Sequence, residues 1–86
     1  MVLWLRSAEN ASGRLAVVSS RKVGGAVERN RARRRLREMY RRNRDQLTGR
    51  HDVVLIARRD VLRASADAIR RDFLGLAARA GIGKPQ

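Results

Sequence analysis

Residues 28–44, ERNRARRRLREMYRRNR, hold nine arginines and two acids, Glu28 and Glu38. A guanidinium is planar, permanently charged and carries a fork of donors that matches a phosphate. Such a run is suited to holding a polyanion rather than to breaking bonds. Over the whole chain Lys plus Arg is 21 against 8 for Asp plus Glu, a net charge of +13, and only Lys22 and Lys84 among the cations are lysine. A field this one-sided points to nucleic acid. A membrane surface fits less well, because no long apolar run or lipidation signal accompanies the charge.

Groups that could do covalent chemistry are sparse. The acids Glu9, Glu28, Glu38, Asp45, Asp52, Asp60, Asp67 and Asp72 are scattered along the chain. None forms the compact cluster that metal-assisted or acid–base hydrolysis needs. His51, the single histidine, precedes an apolar run and reads as a surface or capping residue. Cysteine is absent, which excludes disulfides, thiolate catalysis and cysteine metal sites. The glycine segments GRLAVV and VGGAV lack the spacing of a phosphate-cradling loop. No catalytic residue and no protein-bound metal or cofactor is expected. The apolar start of MVLWLRSAEN is too short for a signal peptide, so the cytoplasm is the simplest location.

At 86 residues the chain is long enough for one domain. Hydrophobic residues make up 43% of it, which argues against a disordered basic tail. The arginines must therefore be arranged around a core. MVLWL alternates, with Val2 and Trp4 on one side and Leu3 and Leu5 on the other, and reads as a strand with both faces at least partly covered. SAENASG reads as a turn, and RLAVVSS as a second strand paired antiparallel to the first in a hairpin. Gly24-Gly25 marks a tight connection. In the arginine run Ala32, Leu36, Met39, Tyr40 and Leu47 form one apolar stripe, so the run is an amphipathic helix starting between Ala26 and Arg31 and ending near Gly49. DVVLIAR reads as a central strand buried on both faces. Ser65 is the expected N-cap of a last helix with Ala66, Ile69, Phe73, Leu76, Ala77 and Ala80 inward and Gly81 as its stop. Residues 82–86 read as a frayed tail. The order is strand, strand, helix, strand, helix, an α+β sandwich.

The stretch SRKVGGAVERNRARRRLREMYR closely resembles the signature of the protein subunit of bacterial ribonuclease P. The signature residues here are Arg21 and Lys22, Gly24, Ala26-Val27, Arg29-Asn30-Arg31, then Arg33, Arg34 and Arg37. HDVVLIAR is similar to the family's following strand, and the likeness extends over roughly residues 2–81. The resemblance implies an α–β sandwich with a left-handed crossover around the arginine-rich helix. It implies an accessory subunit of an endoribonuclease whose catalyst is RNA, which removes the 5′ leader from precursor tRNA. Arg21, Lys22, Arg29, Asn30, Arg31, Arg33, Arg34 and Arg37 become the expected contacts to the RNA subunit. Trp4 and Val2 become the expected leader-binding face. Magnesium is needed by the ribonucleoprotein rather than bound by the protein, and a monomer is expected in the particle. Relative to the family, the chain reads as a single domain lacking the N-terminal helix and first strand. On composition alone, a structural or ribosomal RNA-binding protein without a processing role remains the alternative.

Overall fold

The structure, a computed structural model, describes residues 1–6, 13–49 and 51–84, Arg6 by its backbone alone. Three strands, β1 (Val2–Arg6), β2 (Leu15–Ser19) and β3 (Asp52–Ala57), form one sheet. Two helices, α1 (Ala26–Asn43) and α2 (Ala66–Arg79), cover one face of it. This is the expected α+β sandwich.

The strand order is β1-β3-β2, with β3 antiparallel to β1 and parallel to β2. The expected β1–β2 hairpin does not form, because β3 lies between the two. The run VVLI is the strongest strand former and takes the only position bonded on both sides. Once β2 and β3 are parallel, the chain must cross the sheet between them, and the 18 residues of α1 make that crossover. Most of the expected turn, residues 7–12, lies outside the described residues.

Among the described residues the sheet is covered on one face only. Val53, Leu55 and Ala57 of β3 are buried and Val54 and Ile56 half-buried, so β3 is central but not enclosed as expected. In register with them, Leu3 and Leu5 of β1 and Val17 of β2 face the helices. Trp4, opposite Val54, is 63% exposed, and Val18 beside Ile56 is also open. Both helices pack on the Leu3–Leu55–Val17 side, which leaves the other side without a layer.

The core is built around Leu36, Leu55 and Phe73, all fully buried, and the rings of Tyr40 and Phe73 meet edge to face at 5.9 Å. From α1 it takes Ala32, Leu36, Met39 and Tyr40. The next position on that stripe is not Leu47 but Asn43, where the helix stops short of Gly49. The Asn43 side chain donates to the Met39 carbonyl at 2.8 Å, a back-bond that competes with continuation of the helix. A 3-10 turn, Arg44–Gln46, follows. Leu47 then pairs with Gly83 in an isolated bridge.

That bridge also corrects the reading of the tail. Ile82 is buried, Thr48 N donates to its carbonyl at 2.7 Å, and Lys84 N donates to Gln46 O at 2.8 Å. Residues 82–84 are therefore tied to residues 46–48, while residues 85–86 lie outside the described residues. In α2 Ser65 caps as expected, its hydroxyl accepting from Ala68 N at 3.0 Å. Ile69, Phe73 and Ala77 are buried and Leu76 half-buried, whereas Ala66 and Ala80 are exposed, a narrower stripe than the spacing suggested.

Burial holds the Tyr40 phenol above its ordinary value of 10.0, with the Arg44 charge opposing part of the shift. The folded state then keeps the Tyr40 proton when the unfolded chain has lost it. Stability from this source is complete below pH 10 and is lost as pH rises through the folded value. Thermal melts from pH 8 upward should show a fall in melting temperature beginning near pH 10. Tyr40→Phe should flatten that part of the curve, and an unchanged slope in the variant would contradict the assignment.

Candidate nucleic-acid interface

The arginine helix begins at a junction in which several residues share one task. Ser20 accepts from Lys22 N at 3.2 Å and starts the 3-10 turn Arg21–Val23, whose Val23 is buried. Gly24 follows at φ +146°, a conformation that side chains rarely adopt, and a Cβ there would fall 1.7 Å from Glu28 Oε2. That carboxylate accepts from Gly25 N at 3.0 Å and lies at the positive end of the helix. The glycine is required so that Glu28 can close over the helix start. Arg21 and Lys22 are left exposed beside it.

Beyond the junction, spacings of three and four sort the arginines of α1 into two flanks. Asn30, Arg33, Arg37, Arg41 and Arg44 follow one flank, toward β2. Arg31, Arg35, Glu38 and Arg42 follow the other, toward α2. Arg34 lies on the crest between them. Arg33 is half-buried: its Nη1 donates to Ser19 Oγ at 3.2 Å and its Nη2 to Asn30 Oδ1. Asn30, in the second turn of α1, thus aims Arg33. Arg35 turns inward, donating to the carbonyls of Val61 and, at 2.6 Å, Ala64. It fastens α1 to the segment before α2. Glu38 accepts from Arg41 at 3.1 Å and lies 3.8 Å from Arg42.

Of the residues expected to meet RNA, Arg21, Lys22, Asn30, Arg31, Arg34 and Arg37 are exposed, and Arg29 and Arg33 are half-buried. They do not form one plane. Arg29 leans toward the core side, Arg31 lies on the α2 flank and Arg37 on the β2 flank, while Arg34 on the crest points away from the sheet.

A second feature lies on the open side of the sheet. Val2, Trp4 and Ile56 floor a groove of about 750 Å³, and Ser20, Lys22, Arg58 and Arg59 edge it. An exposed indole, an apolar floor and a cationic rim suit an unpaired strand, whose bases stack and whose phosphates pair. Among the described residues no acid lines this groove. Lys22 belongs both to its rim and to the junction before α1, so the groove and the arginine helix form one continuous positive surface. Arg58 and Arg59 were missed by sequence reasoning. Their signal was available, because β2 and β3 are parallel and end together, Ser19 opposite Ala57. The segments that follow each strand, SRK and RRD, must emerge at the same end of the sheet. The hairpin reading sent β2 the other way and hid this.

The comparisons with known proteins agree with this architecture. The profile of the family described as Ribonuclease P matches residues 1–81. The chain belongs to this family. It is 34% identical over 76 residues to the ribonuclease P protein component of Syntrophomonas wolfei, covering 86% of this chain and 64% of that one. It is 43% identical over 67 residues to that of Desulforapulum autotrophicum, covering 78% and 56%. The chain thus spans roughly three-fifths of the length of these curated relatives. Among solved structures, the RNase P protein of Thermotoga maritima superposes with a TM-score of 0.75 at 31% identity, covering 90% of this chain and 74% of that one. The RNase P protein of Staphylococcus aureus shares the fold at a TM-score of 0.74 and 22% identity, covering 95% and 75%.

Arginines that look alike in sequence should separate by experiment. Arg35→Ala, which strands two carbonyls, should lower unfolding free energy by about 1–3 kcal/mol in urea titration. Arg37→Ala, which relieves repulsion from Arg33 and Arg41, should not lower the urea midpoint and should weaken RNA binding. Equal effects of the two substitutions on stability would contradict the inward assignment of Arg35.

Proposed function

We propose that this chain acts as the protein component of ribonuclease P, an accessory subunit that binds the catalytic RNA and the 5′ leader of precursor tRNA. The observation that carries this reading is the Trp4 groove joined through Lys22 to the arginine helix, in a chain of this family. In this reading Arg34, Arg37 and the exposed cations of α1 lie along phosphates of the RNA subunit. The unpaired leader runs over the sheet, a base on Trp4 and its phosphates against Lys22, Arg58 and Arg59.

Among the described residues no group of three or more His, Cys, Asp or Glu is placed to hold a metal ion. The protein's part is to bind, align and neutralise. Magnesium ions on the RNA would supply charge neutralisation and the activated water for phosphodiester hydrolysis. Guanidinium groups beside the phosphates reduce the repulsion that must be overcome to bring two RNAs together, so the protein lowers the magnesium needed. Among the described residues no helix is long and apolar enough to cross a membrane.

The test is cleavage of precursor tRNA by a bacterial ribonuclease P RNA at low magnesium, with and without this chain. The chain should stimulate cleavage more for a long leader than for a leader of one or two nucleotides. Trp4→Ala should remove most of the difference, about 1–3 kcal/mol of leader affinity. Binding to the RNA subunit should weaken about 10³–10⁵-fold between 50 and 200 mM salt if roughly 6–10 phosphates are contacted. RNA binding without leader dependence would leave a purely structural RNA-binding role.

A further inference from the structure

A groove of about 360 Å³ runs between α1 and α2, on the flank of α1 away from β2. Its floor is apolar, made by Met39 and Ile69, and Ala66 stands at its mouth. Its wall contains Asn43, only 7% exposed, the one buried polar side chain among the described residues. Asn43 gives one amide hydrogen to Met39 O at 2.8 Å and one lone pair to Arg70 Nε at 3.0 Å. An amide has two hydrogens and two acceptor sites, so one of each is left for a ligand.

The mouth is cationic. Arg34, Arg42 and Arg70 border it together with Glu38 and Asp67. Glu38 is engaged by Arg41 at 3.1 Å, with Arg42 further off at 3.8 Å, and Asp67 by Arg71 at 3.4 Å, so three arginines face two acids already paired. The net field at the opening therefore favours an anion. Arg34 lies on both this mouth and the crest of the arginine helix. A polyanion lying along α1 is thereby brought to the groove. The volume is at the small end for ligand sites, too narrow for a duplex and suited to one flat ring.

We propose that this groove takes a single unpaired nucleotide of the RNA subunit, its base inserted over Met39 and Ile69 and its phosphate held by Arg42 and Arg70. This rests on the reading of the chain as an RNA-binding subunit. RNA is read most specifically where a base is splayed out of its helix, laid against apolar or guanidinium planes and bonded along its edge. The free donor and acceptor of Asn43 provide such an edge contact. The arginine face of α1 supplies attraction without regard to sequence, whereas this groove supplies a fixed point that sets the register of the protein on its RNA.

The absence of cysteine gives a direct test. Ala66→Cys, at the exposed mouth, is labelled with an azidophenacyl photocrosslinker and bound to a bacterial ribonuclease P RNA. Val27→Cys, 80% exposed in the first turn of α1, serves as the control position. Crosslinks from position 66 should map to one dominant nucleotide, unpaired in the RNA. Ala66→Trp, which fills the mouth from an exposed position, should weaken RNA binding at least tenfold with an unchanged melting temperature. Crosslinks from position 66 that scatter or fall in paired helices, while position 27 crosslinks normally, would overturn the proposal. Unchanged affinity of the folded Ala66→Trp variant would do so as well. If position 27 also fails and the unlabelled chain does not bind the RNA, the proposed function has failed and the groove's role with it.

Discussion

The fold depends on burying one narrow stripe of a helix whose remaining surface repels itself. Ala32, Leu36, Met39, Tyr40 and Asn43 are buried, and nearly every other side chain of α1 beyond its first turn is charged. Like charges at spacings of three and four cost a few tenths of a kcal/mol per pair, and Arg33–Arg37, Arg37–Arg41 and Arg41–Arg44 each incur this. Burying Leu36 and most of Met39 and Tyr40 contributes roughly 1.5–3 kcal/mol for each such side chain. Packing therefore wins, but only while the stripe stays continuous. That explains why both polar ends of the Asn43 side chain have a partner, Met39 O for the amide nitrogen and Arg70 Nε for the oxygen: an unsatisfied amide at this position would cancel much of what one of the apolar contacts supplies.

The same constraint shapes the sheet. Both helices lie on the face that receives the α1 stripe, because α2 packs against α1 through Phe73 and Tyr40. The other face, with Trp4, Val54, Ile56 and Val18, is left open. An apolar sheet face in water is unfavourable unless something else uses it. Here the parallel pairing of β2 and β3 brings Lys22, Arg58 and Arg59 to one end of that face. One topological choice thus both carries the arginine helix across the sheet and equips the open face with a cationic edge.

Much of this was legible in the sequence. The elements, the Ser65 cap, the core positions of α1 and the central place of β3 follow from period, capping chemistry and β-propensity, which are local properties. Strand pairing is not local. RLAVVSS follows VLWL after a short turn-like segment, and nothing in either strand says that β3 will insert between them. From that one error came the second, the overlooked Arg58 and Arg59, since their place depends on which way β2 runs. The tail was misread for a similar reason. Ile82 lies beyond the helix stop at Gly81, and only the three-dimensional path brings it against Thr48.

The arginines show why composition identifies a binding partner before it identifies the binding residues. A guanidinium can satisfy buried carbonyls as readily as phosphates, because it keeps its charge and spreads its donors in a plane. In α1, Arg35 closes on Val61 and Ala64, and Arg33 is held by Ser19 and Asn30. Arg41 and Arg42 share Glu38. Within the signature itself, Arg34 and Arg37 are exposed on the crest and the β2 flank of the helix. Residues of one type, spaced one to four apart, therefore divide into those that fix the helix on the sheet and those that face outward from it. A lysine, with a single strongly hydrated ammonium, could take the outward role but would make a poorer bridge to two carbonyls at once. At Arg35, and in part at Arg33, arginine serves the fold, while on the outward faces of α1 the same residue type suits an anionic partner.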